Sequence, residues 1–244
     1  LIKTIKSYGK LGPNKIRQNA PHPHQANLDP SGRYFAVNDL GTDSVLTIDS
    51  KDDAYTLADN IRVEAGCGPR HGVFYPRGAE KATHYIIGCE LSNQALVYKV
   101  TYKKDTLAFK LHQSISTFGK DLPAENITAA AVGEVILAPN NKDLYISNRL
   151  TGGDYDSIAH FTVANCGTLT YEEGVKSWGQ LPRMISFSDS AEHVFVGNQN
   201  GTLGLVALKR GKDGKLGETY VSSLNNTNFG DPEFGPSFVQ QLVL

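Results

Sequence analysis

The 244-residue chain, with 40% apolar and 20% charged side chains, has the make-up of a folded globular protein and not of a disordered tail. Its formal net charge of −1 gives no electrostatic reason to expect nucleic acid or an anionic membrane as partner. No apolar run approaches the roughly 20 residues that a spanning helix needs.

The opening stretch, LIKTIKSYGKLGPNK, has neither an initiator Met nor a signal-peptide pattern, which predicts a mature chain or a fragment. Three cysteines, Cys67, Cys89 and Cys166, are an odd number without CxxC spacing. That argues against zinc and allows at most one internal disulfide. Sequons at Asn126, Asn200 and Asn225 lend weak support to secretion.

Four segments share one grammar: a short apolar strand, a turn of Pro, Asp or Asn, a strong strand with a small polar tail, a polar loop, and another strand. In chain order they are HQANLDPSGRYFAVNDLGTDSVLTIDS, HGVFYPRGAEKATHYIIGCELSNQALVYKV, GEVILAPNNKDLYISNRLTGGDYDSIAHFTV and RMISFSDSAEHVFVGNQNGTLGLVALKR. The equivalent points AVND, IGCE, ISNR and VGNQ recur about every 50 to 60 residues, leaving room for a fourth strand in stretches such as YTLADNIRVEAG and LTYEEGVKSW.

Helical periodicity is missing, while Val, Ile, Tyr and Phe gather in short runs bounded by turn formers. Runs such as Tyr85–Ile87 and Val194–Val196 do not alternate, which predicts strands covered on both faces. Four-stranded sheets repeating at this period predict an all-β fold, a β-propeller, with residues 1–244 as a single domain. About four to five blades fit this length. The last residues, GPSFVQQLVL, read as a lone strand waiting to join a sheet begun earlier, so blades are expected upstream of Leu1.

In a propeller the inner strands and the loops leading from them line a central channel, where equivalent points of different blades converge. His24 and His71 open inner strands, at PHQ and PRHG. Arg70 and Arg183 occupy matching Pro-Arg steps, Glu90 and Arg149 follow second strands, and Glu134 begins an inner strand. Arginine holds carboxylates and phosphates by bidentate bonds. A histidine, with an ordinary pKa of roughly 6.5, and a partly buried glutamate can exchange protons near neutral pH. The set therefore predicts a small anionic substrate undergoing proton transfer or acyl-oxygen chemistry.

Plainer readings stand beside this one. Arg183 can be a structural clamp on neighbouring carbonyls, and His22, between Pro21 and Pro23, a loop residue. His84, His112, His160 and His193 read as ordinary strand or loop histidines. Paired arginines raise the cost of holding a cation beside His22, His24 and Glu90, so no metal is expected.

The passages PHPHQANLDPSGRYFAVNDLGTDSV, GPRHGVFYP, CELSNQALVY, LYISNR, DSIAHFTV and GTLTYEE, in this order, resemble the seven-bladed propeller lactonase family. That family includes bacterial 6-phosphogluconolactonases and fungal 3-carboxy-cis,cis-muconate lactonizing enzymes. The resemblance carries catalytic roles to His24, Arg70, Glu90 and Arg149. His71, Glu134 and Arg183 are expected to contact substrate, Glu134 at an acidic position of less definite purpose. It implies no metal or organic cofactor, and a companion N-terminal segment that completes the ring.

The function it implies is a lactone-forming or lactone-opening enzyme on a carboxylate-bearing substrate, carboxymuconate cyclase-like, with 6-phosphogluconolactonase-like hydrolysis as the alternative. A different class also fits: a secreted, non-catalytic propeller acting as a binding or antigenic surface protein. Cys67 and Cys89 depart from the family pattern, standing where Ser and Asn are usual. A Cys67–Cys89 disulfide at the channel rim would suit an oxidising compartment and an extracellular fungal member, with the cytoplasm as the alternative. In an extracellular setting neither a phosphosugar lactone nor an aromatic-catabolism intermediate is a natural substrate.

Overall fold

The computed structural model describes residues 1–119, 124–230 and 234–242. Its strands form four antiparallel four-stranded sheets, each made of four consecutive strands. Two compact units hold two sheets apiece, Leu1–Ile115 and Ser116–Leu244.

In the first unit, β1 (Pro23–Leu28), β2 (Tyr34–Asp39), β3 (Ser44–Asp49) and β4 (Thr56–Arg62) form one sheet. β5 (Pro69–Tyr75), β6 (His84–Cys89), β7 (Gln94–Tyr102) and β8 (Leu107–Ser116) form the next, and β5 packs on β1 and β2. Between the sheets lies a core of Tyr34, Ala36, Val45, Phe74, Tyr85, Ile87, Leu96 and Leu107. Tyr85, Ile86 and Ile87 are fully buried, as expected of a strand covered on both faces.

The turn Asp29–Gly32 is an Asx-type turn. The Asp29 carboxylate accepts from the backbone N–H of Ser31, Arg33 and Tyr34, and from the hydroxyl of Tyr102 in the neighbouring sheet. One short side chain thus shapes a hairpin and ties two sheets together.

The second unit contains β9 (Ala131–Leu137), β10 (Asp143–Arg149), β11 (Ser157–Val163) and β12 (Leu169–Lys176), then β13 (Gln180–Phe187), β14 (His193–Asn200), β15 (Leu203–Arg210) and β16 (Leu216–Asn225). The two sheets approach closest at their first strands, β9 and β13, and more thinly at β12 and β16. Tyr145, Ile158, Ile185, Val194, Val196, Val206 and Leu208 fill the space between them. At its outer part, Asp143 accepts from His160 Nε2 at 2.9 Å and pairs with Arg210, whose Nε donates to the Tyr145 hydroxyl at 2.8 Å. Burial pushes the Asp143 carboxyl up, but hydrogen bonds from His160, Asn140 and Arg210 outweigh it and hold the group at about 2.

Two expectations need correction. Residues 235–242 of the tail form no strand; Val243 and Leu244 lie outside the described residues. None of the four sheets includes the tail; it lies against the face of β14, where the Gly235 N–H donates to the Gln199 carbonyl at 2.8 Å. Phe195 is only partly buried, unlike Val194 and Val196, and two residues along the same strand Pro236 and Val239 come within 3.3 and 3.6 Å of the Cβ position of Gly197.

Candidate functional site

Each sheet breaks register at one point of its first strand. In β1 the extra residue falls between Pro23 and Gln25, in β5 between Pro69 and His71, and in β13 between Pro182 and Met184. The bulged residues are therefore His24, Arg70 and Arg183. In β9 the extra residue falls between Val132 and Val135, at Gly133 and Glu134. A bulge turns a side chain away from the alternation of the strand. The Pro before His24, Arg70 and Arg183 lacks an N–H, so the ladder loses little by breaking there. Glu134 sits inside its bulge and not at the start of β9 as expected, its N–H bound to Ser147 Oγ at 2.8 Å.

The closing residue of the AVND, IGCE, ISNR and VGNQ motifs meets the bulge of its own sheet in three cases. Arg70 Nε lies 2.8 Å from Glu90 Oε2, and Arg183 Nη1 donates to Gln199 Oε1 at 3.4 Å. In the sheet of β9 the partners are exchanged: the bulge carries glycine, and the arginine arrives from β10. A Cβ on Gly133 would sit 2.4 Å from Ser147 Oγ, 2.8 Å from the Pro182 carbonyl and 3.3 Å from Arg149 Cδ. Glycine there makes room for Arg149, whose Nη2 donates to the Val132 carbonyl at 3.0 Å. A carbonyl clamp, expected for Arg183, is thus observed at Arg149.

The residue before it in three of the motifs ties its strand to backbone outside its own sheet, Asn38 to β5 of the neighbouring sheet and Asn148 and Asn198 to the irregular segments just after β8 and β12. Asn38 Nδ2 donates to the Arg70 carbonyl at 3.4 Å, Asn148 Nδ2 to Thr117 at 2.9 Å, and Asn198 Nδ2 to Ser177 at 3.0 Å. The fourth motif carries Cys89 at this point, and a disulfide to Cys67 takes the place of the hydrogen bond. The covalent brace fixes the loop before β5 to the end of β6, on either side of Arg70 and Glu90.

The first unit gathers four of the seven candidate residues into two clusters that share β5. His24 Nδ1 and His71 Nε2 are 3.1 Å apart, with the rings edge-on at 4.9 Å between centroids. Beside them along the strand, Glu90 lies between two guanidiniums, Arg70 and Arg17. The side chains of Arg70 and Glu90 are 1% and 2% exposed, and that of Arg17 is 47% exposed. The second unit carries Arg149, Glu134 and Arg183, with Glu134 Oε1 accepting from the Val135 N–H at 3.0 Å.

Arg17 was not singled out by its sequence, because it precedes every repeat and lies in an irregular segment. His22, by contrast, is an exposed loop residue bonded to Asn19, as its flanking prolines suggest.

The family model described as "Lactonase, 7-bladed beta-propeller" matches residues 1–225. This chain belongs to that lactonase family. One relative, a probable 6-phosphogluconolactonase of Arthroderma benhamiae, is 42% identical over 163 residues, covering 65% of this chain and 39% of its own. A crystal structure of a Lactobacillus plantarum protein superposes with a TM-score of 0.76 at 29% identity, covering 91% of this chain and 60% of that one. A putative 6-phosphogluconolactonase from Bacteroides uniformis gives a TM-score of 0.73 at 25% identity, covering 91% and 63%. This lactonase-family chain therefore spans 39% of that curated relative's length and under two thirds of both structures.

Proposed function

We propose that the protein opens the ring of a sugar-acid lactone by hydrolysis, in the manner of a 6-phosphogluconolactonase. The observation that carries this reading is the His24–His71 pair beside a cluster of two arginines and one glutamate. The name of the Arthroderma benhamiae relative favours ring opening over the cyclase chemistry also considered from the sequence.

In the tautomer where His24 Nδ1–H donates to His71 Nε2, the remaining lone pair of His24 is on Nε2. That nitrogen takes a proton from water as the water oxygen attacks the lactone carbonyl carbon. His71 orients the ring and shares the positive charge that develops on it. The tetrahedral intermediate carries its negative charge on the former carbonyl oxygen, where an arginine stabilises it. Collapse breaks the ring C–O bond, and His24 returns the proton to the departing alkoxide, giving the hydroxy acid. Glu90, buried between two guanidiniums, is placed to organise them rather than to carry protons.

The Cys67–Cys89 disulfide supports an oxidising, extracellular location. The test is turnover of 6-phosphogluconolactone, glucono-δ-lactone and 3-carboxymuconate by the full chain, with His24→Ala as control. Lactone hydrolysis lowered about 10²–10⁴-fold by His24→Ala is expected. Turnover of 3-carboxymuconate alone would replace hydrolysis with cyclisation. No turnover of any compound by a folded chain would favour a binding protein.

A further inference from the structure

We infer that Arg17 determines substrate specificity by gripping an anionic group, carboxylate or phosphate, on the part of the lactone remote from its ring carbonyl. This rests on the lactone-opening reading. Two observations lead to it. Arg70, the arginine marked by its motif, is 1% exposed and pairs with Glu90 in the interior. Arg17 shares the same carboxylate, through Oε1, yet nearly half of its side chain is exposed, so this buried carboxylate holds a guanidinium that still faces outward.

The segment that carries Arg17 is built to hold it there. Gln18, 1% exposed, donates from Nε2 to the Leu40 carbonyl at 2.8 Å and to Asp43 Oδ1 at 2.7 Å. The Asp43 carboxylate also accepts from the Gly66 and Gly68 N–H groups at 2.8 Å, and the Gly68 carbonyl accepts from the Glu90 N–H at 2.9 Å. Asn14 closes the turn, its Oδ1 accepting from the Ile16 and Arg17 N–H groups. One continuous chain of hydrogen bonds thus joins the side chain of Gln18, the residue after Arg17, to the backbone of Glu90. A guanidinium pre-oriented by a buried carboxylate loses less freedom on meeting an anion than a mobile surface arginine. Glu90 and Gln18 act here as positioning residues.

The experiment compares kcat/KM for 6-phosphogluconolactone with that for glucono-δ-lactone, which lacks the phosphate, in the wild-type chain and Arg17→Gln. The ratio is expected to fall at least tenfold through a higher KM for the phosphorylated lactone, with partial recovery in Arg17→Lys. Gln18→Ala, which frees the segment without removing the charge, is expected to lower the same ratio less. An unchanged ratio in Arg17→Gln overturns the inference while leaving lactone opening intact. If the wild-type chain opens neither lactone, lactone opening fails, and calorimetric binding of 6-phosphogluconate decides the role of Arg17. Binding at least tenfold weaker in Arg17→Gln supports the grip; equal affinity, or no binding by the wild type, overturns it.

Discussion

Arg70 and Glu90 form a buried ion pair, Nε to Oε2 at 2.8 Å, at the step where β5 takes its extra residue. Opposite charges this deep in the protein are stable only as partners, since either alone would carry an uncompensated desolvation cost. Arg70→Ala is expected to destabilise the fold by about 3–5 kcal/mol. Glu90→Leu should cost a similar amount by leaving the Arg70 guanidinium buried without its carboxylate. Urea unfolding of both variants and their combination checks the coupling: strictly additive losses would show that the two side chains do not stabilise each other.

The disulfide between Cys67 and Cys89 spans 22 residues of sequence. Closing a loop of that length is worth roughly 3 kcal/mol in the chain-entropy account. Cys67→Ser/Cys89→Ala should lower the thermal midpoint and abolish its dependence on reductant. Because Asn148 and Asn198 bond the segments that precede their own sheets, as the disulfide does, Cys67→Ser/Cys89→Asn should recover about 1 kcal/mol of that loss. Equal stability of the two double variants would contradict this equivalence.

Asp143 supplies an acid limb to the stability profile. Its folded-state pKa of about 2 lies below the ~3.9 of an unfolded aspartate, so the unfolded chain takes up the proton first as pH falls. The contribution is complete above about pH 4 and is lost as pH falls through about 2; it amounts to roughly 2 kcal/mol. Urea midpoints measured from pH 5 to pH 2 should fall more steeply in the wild type than in Asp143→Asn. Parallel profiles would remove Asp143 from the account.

Gly133 is required by close approach. A methyl group there would meet Ser147 Oγ at 2.4 Å and the Pro182 carbonyl at 2.8 Å. The serine can rotate, whereas the carbonyl belongs to the backbone of β13. Gly133→Ala should therefore cost about 1–3 kcal/mol. It should also disturb Arg149, whose Cδ lies 3.3 Å from the same point. Denaturant midpoints of Gly133→Ala and Gly133→Ala/Arg149→Ala would reveal the coupling as a non-additive loss.

The strand content and its grouping into four repeated sheets were legible in the residues themselves. Each repeat writes its own strands in β-branched and aromatic runs, and its turns in Asp, Asn, Pro and Gly, so short-range chemistry suffices. The same repetition located His24, Arg70, Glu90, Arg149 and Arg183, because equivalent positions in a repeat occupy equivalent places in a sheet. It could not say which of them touch. His24 with His71, and Arg70 with Glu90, became pairs only once strands distant in sequence were laid side by side with a bulge in each. Arg17 belongs to no repeat, and its meeting with Glu90 spans 73 positions. The tail carries a strand-like sequence, yet residues 235–242 pair with no sheet edge among the described residues. Local propensity names a strand; a free edge must still receive it.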